Sequence, residues 1–265
     1  MRELERDPHH TPPSAPQPVA IVGAGRVGRS IARAAADAGL EVFVAGRRDA
    51  AAACEHAEVA LLCVPDGAIR EACKTVAVSV PPLRLVGHVS GATPLAALDA
   101  ARGRGAQTFS MHPLQTVPDG GASLAGVPCA VSGSSGSARQ VAAGLAELFG
   151  MRPFPLAEEN RAAYHAAACM ASNFLVALEE SAAELMERSG AQDPRELLAP
   201  LVLRTAENWA ERGGDALTGP IARGDEETLE RHLGAIGDSA PELVELYREL
   251  AQRTRALADR TEVPA

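Results

Sequence analysis

From Pro18 to Leu156, short apolar runs alternate with stretches whose apolar positions recur every three or four residues. "VAIVGA", "EVFVA", "VALLCVP", "RLVGHV", "QTFSMH", "PCAVSG" and "RPFPL" read as strands, and their near-continuous apolar character suits strands buried on both faces. Between them the spacing predicts helices over Arg26 to Ala38, over "DGAIREACKTV" with Asp66 as its cap, over "PLAALDAARGRG", and from Ser137 to Phe149. Strands alternating with helices predict an α/β fold, a Rossmann-like, doubly wound and mostly parallel sheet.

Beyond Glu158 the strand pattern stops. Helical patterns run from Glu158 to Arg188, Pro194 to Ala210, Glu226 to Leu233 and Pro241 to Ala258, separated by "RSGAQDP", "RGGDALTGPIARGD" and "GDSAP". The shift in pattern puts a boundary near Ala157. It separates an expected dinucleotide-binding domain (18–157) from an all-helical dimerisation and substrate domain (158–265). The first 17 residues are polar and proline-rich and are expected to be disordered, with His9 and His10 in solvent.

Composition narrows the function classes. The 265 residues are 46% hydrophobic and 22% charged, enough for two folded domains, and the 3% of aromatics leaves a core of Ala, Leu and Val. A net charge of -9 argues against nucleic acid or an anionic membrane as partner. Without a membrane-length apolar run or a signal-peptide pattern, a cytoplasmic location is expected. Cys54, Cys63, Cys73, Cys129 and Cys169 form no C-x-x-C pair, so they read as reduced thiols and no metal site is expected.

The first strand runs into "IVGAGRVGRS". Gly23 allows a tight turn, Gly25 lets a pyrophosphate approach the backbone, and Gly28 lets helix and strand pack closely. A G-x-G-x-x-G in this strand-to-helix context predicts a dinucleotide site, to which Ala24, Arg26 and Val27 also belong, with Val64 and Pro65 after the third strand. At the end of the second strand, "VAGRRDA" offers Arg47 and Arg48 where NAD enzymes carry an acidic residue. An arginine fork binds a 2′-phosphate, so NADP (as NADPH) is the expected cofactor.

Candidate chemistry gathers at three further places. "GHVSGA" and "MHPLQT" put His88, Ser90, His112 and Gln115 at the carboxyl ends of strands, where open α/β sheets bind ligands. "YHAAACMASN" repeats His165, Cys169 and Asn173 every fourth residue along one predicted helix stripe. Tyr164 reads as packing, and Ser90 either caps the helix starting near Pro94 or fixes the tautomer of His112. "LTGPIARGD" places Thr218, Gly219 and Arg223 in a glycine–proline loop that serves as a ligand loop or as a turn capped by Asp225.

Together "GHVSGA", "MHPLQT", "YHAAACMASNFLVAL" and "LTGPIARGD" resemble the 6-phosphogluconate dehydrogenase-like superfamily. They are similar above all to a family of oxidoreductases in which a Rossmann-like domain precedes a helical domain of unknown function. The resemblance covers nearly everything after Pro18. It implies the fold, a nicotinamide as cofactor and the place of the site, but no substrate. The first functional expectation is an NADPH-dependent oxidoreductase acting on a small carbonyl, imine or hydroxy-acid metabolite, and the broad Leu, Ala and Val faces of the helical domain predict a homodimer built through it. Two alternatives stay open: a non-catalytic NADP-binding or regulatory protein, and a reductase using a deazaflavin.

The same resemblance implies roles for single residues. Asn173 matches an asparagine that faces nicotinamide and substrate in hydroxyacid dehydrogenases, and Cys169 stands where their catalytic lysine would be. Lys74 is the chain's only lysine and belongs to a helix of the first domain. Ser90 and His112 match a serine–histidine pair of prephenate dehydrogenases, with His88 in place of an aspartate. Thr218, Gly219 and Arg223 match in placement a carboxylate-holding loop of pyrroline-5-carboxylate reductase. His112 is therefore the first candidate proton donor and His165 the second.

Overall fold

The computed structural model describes residues 18–119 and 121–261, so the expected tail with His9 and His10 lies outside the described residues. The chain divides into two compact units between Cys169 and Met170.

The first unit is a seven-stranded sheet in the order β2-β1-β3-β4-β5-β6-β7. Its strands are β1 (Val19–Val22), β2 (Val42–Ala45), β3 (Val59–Leu62), β4 (Leu85–His88), β5 (Gln107–Pro113), β6 (Pro128–Gly133) and β7 (Arg152–Pro155). Only β5 and β6 pair antiparallel; every other neighbouring pair is parallel. The chain starts at β1, adds β2 on one side and then β3 on the other. The resulting switch point opens a crevice beyond the carboxyl ends of β1 and β3.

Helices cover both faces. On one, Ile31 and Ala35 of α1 (Arg26–Asp37) and Ala142 and Leu145 of α5 (Gly136–Leu148) pack with Ile21, Leu61, Phe109 and Met111. On the other, α2 (Ala50–Cys54), α3 (Ile69–Val76) and α4 (Asp99–Arg102) bury Cys54, Ile69, Cys73, Val76 and Ala101 against Ala20, Leu62 and Val86. Asp66 does not cap α3. It lies inside a 3-10 turn (Asp66–Ala68) set by Pro65, and its side chain bonds no helix N–H. "PLAALDAARGRG" is a 3-10 turn (Leu95–Leu98) followed by the single turn of α4.

One register row decides where the chemistry can sit. Ala45, Val22, Leu62, His88, Ser110 and Ser132 are successive partners across β2, β1, β3, β4, β5 and β6. Aligned partners share a sheet face, so an apolar row turns polar at β4. His112 is two residues beyond Ser110 and therefore on that same face. α6 (Arg161–Ala171) begins there, with Arg161 buried against this polar half.

The predicted long helix from Glu158 to Arg188 is broken. A 3-10 turn (Glu158–Asn160) leads into α6, and α7 (Asn173–Arg188) starts afresh after Ser172, whose φ is -129° and ψ -76°. Ser172 Oγ bonds the Asn173 carboxamide oxygen at 3.1 Å, and the Ser172 carbonyl accepts from Val176 N–H as the first bond of α7. The break falls at a serine–asparagine pair, residue types that disfavour helix interiors.

The second unit is all helix: α7, α8 (Pro194–Arg212), α9 (Glu226–Ser239) and α10 (Val244–Thr261). Pro194 starts α8 where a missing N–H costs nothing, and Asp225 caps α9 by accepting from Thr228 N–H at 3.0 Å. α9 runs past Gly234 and Gly237 to Ser239 because Ile236 is buried. Phe174, Val176, Leu201 and Trp209 remain more than 60% exposed. Among the described residues, no helix is long and apolar enough to cross a membrane.

Candidate functional site

The glycine turn meets its steric requirements. Gly23 has φ +116°, and a Cβ there would lie 2.3 Å from the Cys63 carbonyl oxygen. A Cβ on Gly28 would stand 1.8 Å from the Gly23 carbonyl oxygen, so both positions must be glycine for α1 to dock on β1. Gly25 differs: it is the N-cap residue of α1, and a Cβ there would meet nothing within 4 Å. Open space at a helix N-terminus whose first N–H groups are free is the cradle that a pyrophosphate needs. The residues present therefore fit a dinucleotide.

Around this turn, Ala24 is exposed and its carbonyl accepts from Arg29 at 2.9 Å, while Val27 packs on the core. Arg26 reaches the Pro118 carbonyl at 3.2 Å. A cleft of about 390 Å³ is lined by Val22, Arg47, Ala50, Val64, Pro65 and Thr75, among others. Arg48 is exposed beside it. Lys74 is also exposed and pairs with Glu71 at 2.6 Å.

A second cluster forms where β4 and β5 end. His112 Nδ1 lies 2.7 Å from the Tyr164 hydroxyl, with the rings edge-on at 5.6 Å between centroids. The expected Ser90–His112 bond is not formed. Ser90 Oγ instead accepts from the N–H groups of Ala92 and Thr93 and donates to Thr93 Oγ1, closing its own turn before Pro94. The hydrogen bond to His112 is made instead by Tyr164, which the sequence presented as a packing residue. Gly91 is needed here too, since a Cβ on it would come within 2.7 Å of the His112 ring.

His165 is the next residue on α6, its ring 6.2 Å from that of His112. One turn on, Cys169 Sγ is 3.8 Å from His165 Nδ1. The stripe ends there, because Asn173 is exposed on α7 in the second unit. Gln115 is exposed after β5, its N–H bonded to the Pro113 carbonyl. Thr218, Gly219 and Arg223 belong to the second unit, where Arg223 N–H bonds the Gly219 and Pro220 carbonyls and Gly219 has φ +102°. That is a turn closed on itself, leading into the Asp225 cap.

Burial sets the charge state of the two strand-end histidines. Desolvation, with help from the His165 and Arg161 charges and against Asp66, pushes His112 down to about 4. His88 has no exposed surface; burial, Arg161 and His112 push it down to about 3, against Glu158. Its Nδ1 accepts from Ser90 N–H at 3.2 Å, which leaves the proton on Nε2, where it meets no partner. Burial pushes the Tyr164 phenol up to about 12. With these values the pair near neutral pH is a neutral imidazole hydrogen-bonded to a neutral phenol.

Three residues of the cluster escape a sequence reading: Tyr164, Arg161 and Glu158. The available signal was the match of small polar residues on neighbouring strands, Ser110 in "TFSMH" and Ser132 in "AVSGS", which calls for a buried polar partner. Among the described residues no group of acidic, histidine and cysteine side chains is arranged to hold a metal ion.

Two family models match separate stretches of the chain, and the second of them begins inside the sheet, just before β6. Residues 18–75 match the 3-hydroxyacyl-CoA dehydrogenase NAD binding domain, and residues 127–254 match a domain of unknown function (DUF2520). No curated protein matches the sequence. The structure of BF3122 from Bacteroides fragilis, described as a candidate NADP oxidoreductase, is 22% identical with a TM-score of 0.75, covering 91% of this chain and 99% of its own. Protein TM1727 from Thermotoga maritima is 21% identical with a TM-score of 0.75, at 92% and 100% coverage. An imine reductase of Streptomyces aurantiacus is 17% identical with a TM-score of 0.63, at 94% and 100% coverage. At such identities the likeness is one of fold.

Proposed function

We propose that this chain, which joins an NAD(P)-binding Rossmann domain to DUF2520, is an NADPH-dependent oxidoreductase acting on a small carbonyl, imine or hydroxy-acid metabolite. The observation that carries the reading is the 2.7 Å His112–Tyr164 bond, on the sheet edge whose first turn is the Gly23–Gly28 cradle. The description of the Bacteroides relative as an NADP oxidoreductase, and of the Streptomyces one as an imine reductase, supports the class.

A reduced nicotinamide, when bound, supplies the hydride. The backbone from Gly23 to Gly28 holds the phosphates, and Arg47, which lines the cleft beside Val64 and Pro65, reads the 2′-phosphate. Reduction leaves charge on the substrate oxygen or nitrogen, and a proton must reach it. With the Tyr164 hydroxyl as hydrogen-bond donor to His112 Nδ1, the imidazole proton is on Nε2 and available to the substrate; as it leaves, Nδ1 takes the phenolic proton, so the charge ends on the Tyr164 oxygen until solvent reprotonates it. Because His112 is neutral near pH 7, it gives up that proton only to a strongly basic atom such as a developing alkoxide or amide anion. The exposed apolar residues of α7 and α8 support a homodimer built through the helical unit.

A panel of 2-oxo acids, imines and hydroxy acids, read by NADPH oxidation or NADP reduction, tests the reading. With an active substrate, His112→Asn lowers kcat by about 10²–10⁴-fold and leaves NADPH affinity unchanged. Wild-type turnover in His112→Asn refutes the proton role. Tight NADPH binding without turnover of any compound points instead to a cofactor-binding protein.

A further inference from the structure

Arg161 takes no part in the proton transfer proposed above, yet its guanidinium is bonded on every side. Its side chain is 3% exposed. Nη2 donates to Ser110 Oγ at 2.7 Å and to Ser132 Oγ at 3.0 Å, and Nη1 donates to the Ser90 carbonyl at 3.3 Å. Nε donates to Glu158 Oε1 at 3.0 Å, and the other Glu158 oxygen accepts from Leu95 N–H at 2.9 Å. One fork thus ties the start of α6 to β5, to β6, to the turn after β4 and, through Glu158, to the 3-10 turn at Leu95.

Tyr164 and His165 follow three and four residues later, on the same side of α6 as Arg161. A tyrosine hydroxyl lies roughly 8 Å from its helix axis, so a 20° roll of the helix moves it by about 3 Å. That exceeds the tolerance of a hydrogen bond. The His112–Tyr164 bond spans 52 residues of sequence and no local geometry enforces it, so some contact must set the roll of α6.

We infer that Arg161, held by Glu158, Ser110 and Ser132, is a positioning residue that sets the roll of α6 and so holds the Tyr164 hydroxyl on His112 Nδ1, where the phenol, as donor, keeps the imidazole proton on Nε2. The functional weight of this inference rests on reading His112 and Tyr164 as the proton-transfer pair, but the positioning itself is a property of the free protein. A lysine keeps the charge but presents one ammonium, which cannot span two hydroxyls, a carbonyl and a carboxylate. Removing both serine hydroxyls leaves the Arg161–Glu158 pair and releases the sheet-side grip, together with the bond from Ser132 Oγ to the Leu156 carbonyl.

The test uses the full chain labelled with ¹⁵N-histidine, compared as wild type, Arg161→Lys and the double variant Ser110→Ala/Ser132→Ala. Each is first checked for folding by circular dichroism and a cooperative melt. Imidazole ¹⁵N shifts report the tautomer directly. His232 provides an internal control, since its Nδ1 is also 2.7 Å from a tyrosine hydroxyl, that of Tyr247, in the helical unit. The expected result is a single His112 tautomer in wild type and shifts averaged between both tautomers in the variants, with His232 unchanged. A single fixed tautomer of His112 in a folded Arg161→Lys protein overturns the inference. If that variant does not fold, the serine double variant decides by the same criterion. With an active substrate, kcat falls by about 10²-fold in the variants while KM stays within a few-fold. A fixed tautomer in the variants leaves the proposed reaction standing, and absent turnover leaves the tautomer result standing.

Discussion

Gly25 and Gly28 sit three residues apart in one motif, and replacing each by alanine should separate cofactor binding from stability. At Gly28 the new Cβ would stand 1.8 Å from a backbone oxygen, and ordinary contact begins at 3.4 Å, so helix and turn must part by 3.4 − 1.8 = 1.6 Å. The oxygen is packed backbone and the Cβ is fixed rigidly to the helix backbone, so neither can rotate away. Overpacking of this kind costs about 1–3 kcal/mol, partly offset by the ~1 kcal/mol that alanine gains over glycine inside a helix. The melting temperature should fall by several degrees, at roughly 2–4 °C per kcal/mol for a chain near this size. Cofactor affinity should fall with it, because the cradle itself is displaced.

At Gly25 the outcome should invert. Its φ of -72° and ψ of -172° suit alanine, and the Cβ meets nothing. The loss of a glycine at the N-cap and the reduced freedom of the unfolded chain roughly cancel, so stability should stay within about 1 kcal/mol of wild type. The methyl occupies the space through which a pyrophosphate reaches the N–H groups. Losing two charge-assisted hydrogen bonds at about 1.5 kcal/mol each weakens NADPH binding by about 10²-fold. Thermal melts without cofactor and fluorescence titration with NADPH measure the two quantities. If Gly25→Ala melts as low as Gly28→Ala, or binds NADPH like wild type, the phosphate cradle is wrongly placed.

Arg47→Ala should weaken NADPH by 10-fold or more and leave NADH within about two-fold, whereas Arg48→Ala should change neither; equal losses from both would remove the 2′-phosphate role from Arg47. In the folded chain His112 titrates at about 4 and His88 at about 3 against an ordinary 6.5, so between pH 6.5 and about 4 the unfolded chain binds more protons and stability falls as pH falls. Glu158, whose burial is outweighed by bonds from Arg161 and Leu95, sits below its ordinary value and acts in the same direction at more acid pH. A melting temperature that stays flat from pH 7 to pH 5 would contradict both histidine environments. Leu197 and Leu201 are exposed one turn apart on α8, so Leu197→Glu/Leu201→Glu should turn a dimer into a folded monomer in sedimentation, and a monomeric wild type at micromolar concentration removes the interface.

Much of the architecture was legible because its causes are local. Continuous apolar runs at Val19–Val22 and Val59–Leu62 need burial on both faces, and only glycine tolerates the positions of Gly23 and Gly28. Helix ends were less legible where packing overrode propensity: Gly234 and Gly237 each cost about 1 kcal/mol in a helix, yet burial of Ile236 carries α9 through them. Asp66 read as a cap because an aspartate before an apolar run often is one, but Pro65 places it inside the turn instead.

The site was half legible for a different reason. Periodicity assigns a residue to a face, and it correctly put His112 at a strand end and His165 on a helix stripe, but it does not say which faces meet. Tyr164 and Arg161 acquire their roles only once β5 and β6 pair antiparallel with Ser110 opposite Ser132. A slip of one residue in that register would turn Ser132 to the opposite face and bring Val131 or Gly133 opposite Ser110, leaving the guanidinium of Arg161 facing an apolar side chain or none. A buried cation without its acceptors is far costlier than a misplaced methyl group, so the same contacts that position Tyr164 also penalise the wrong pairing of β5 with β6.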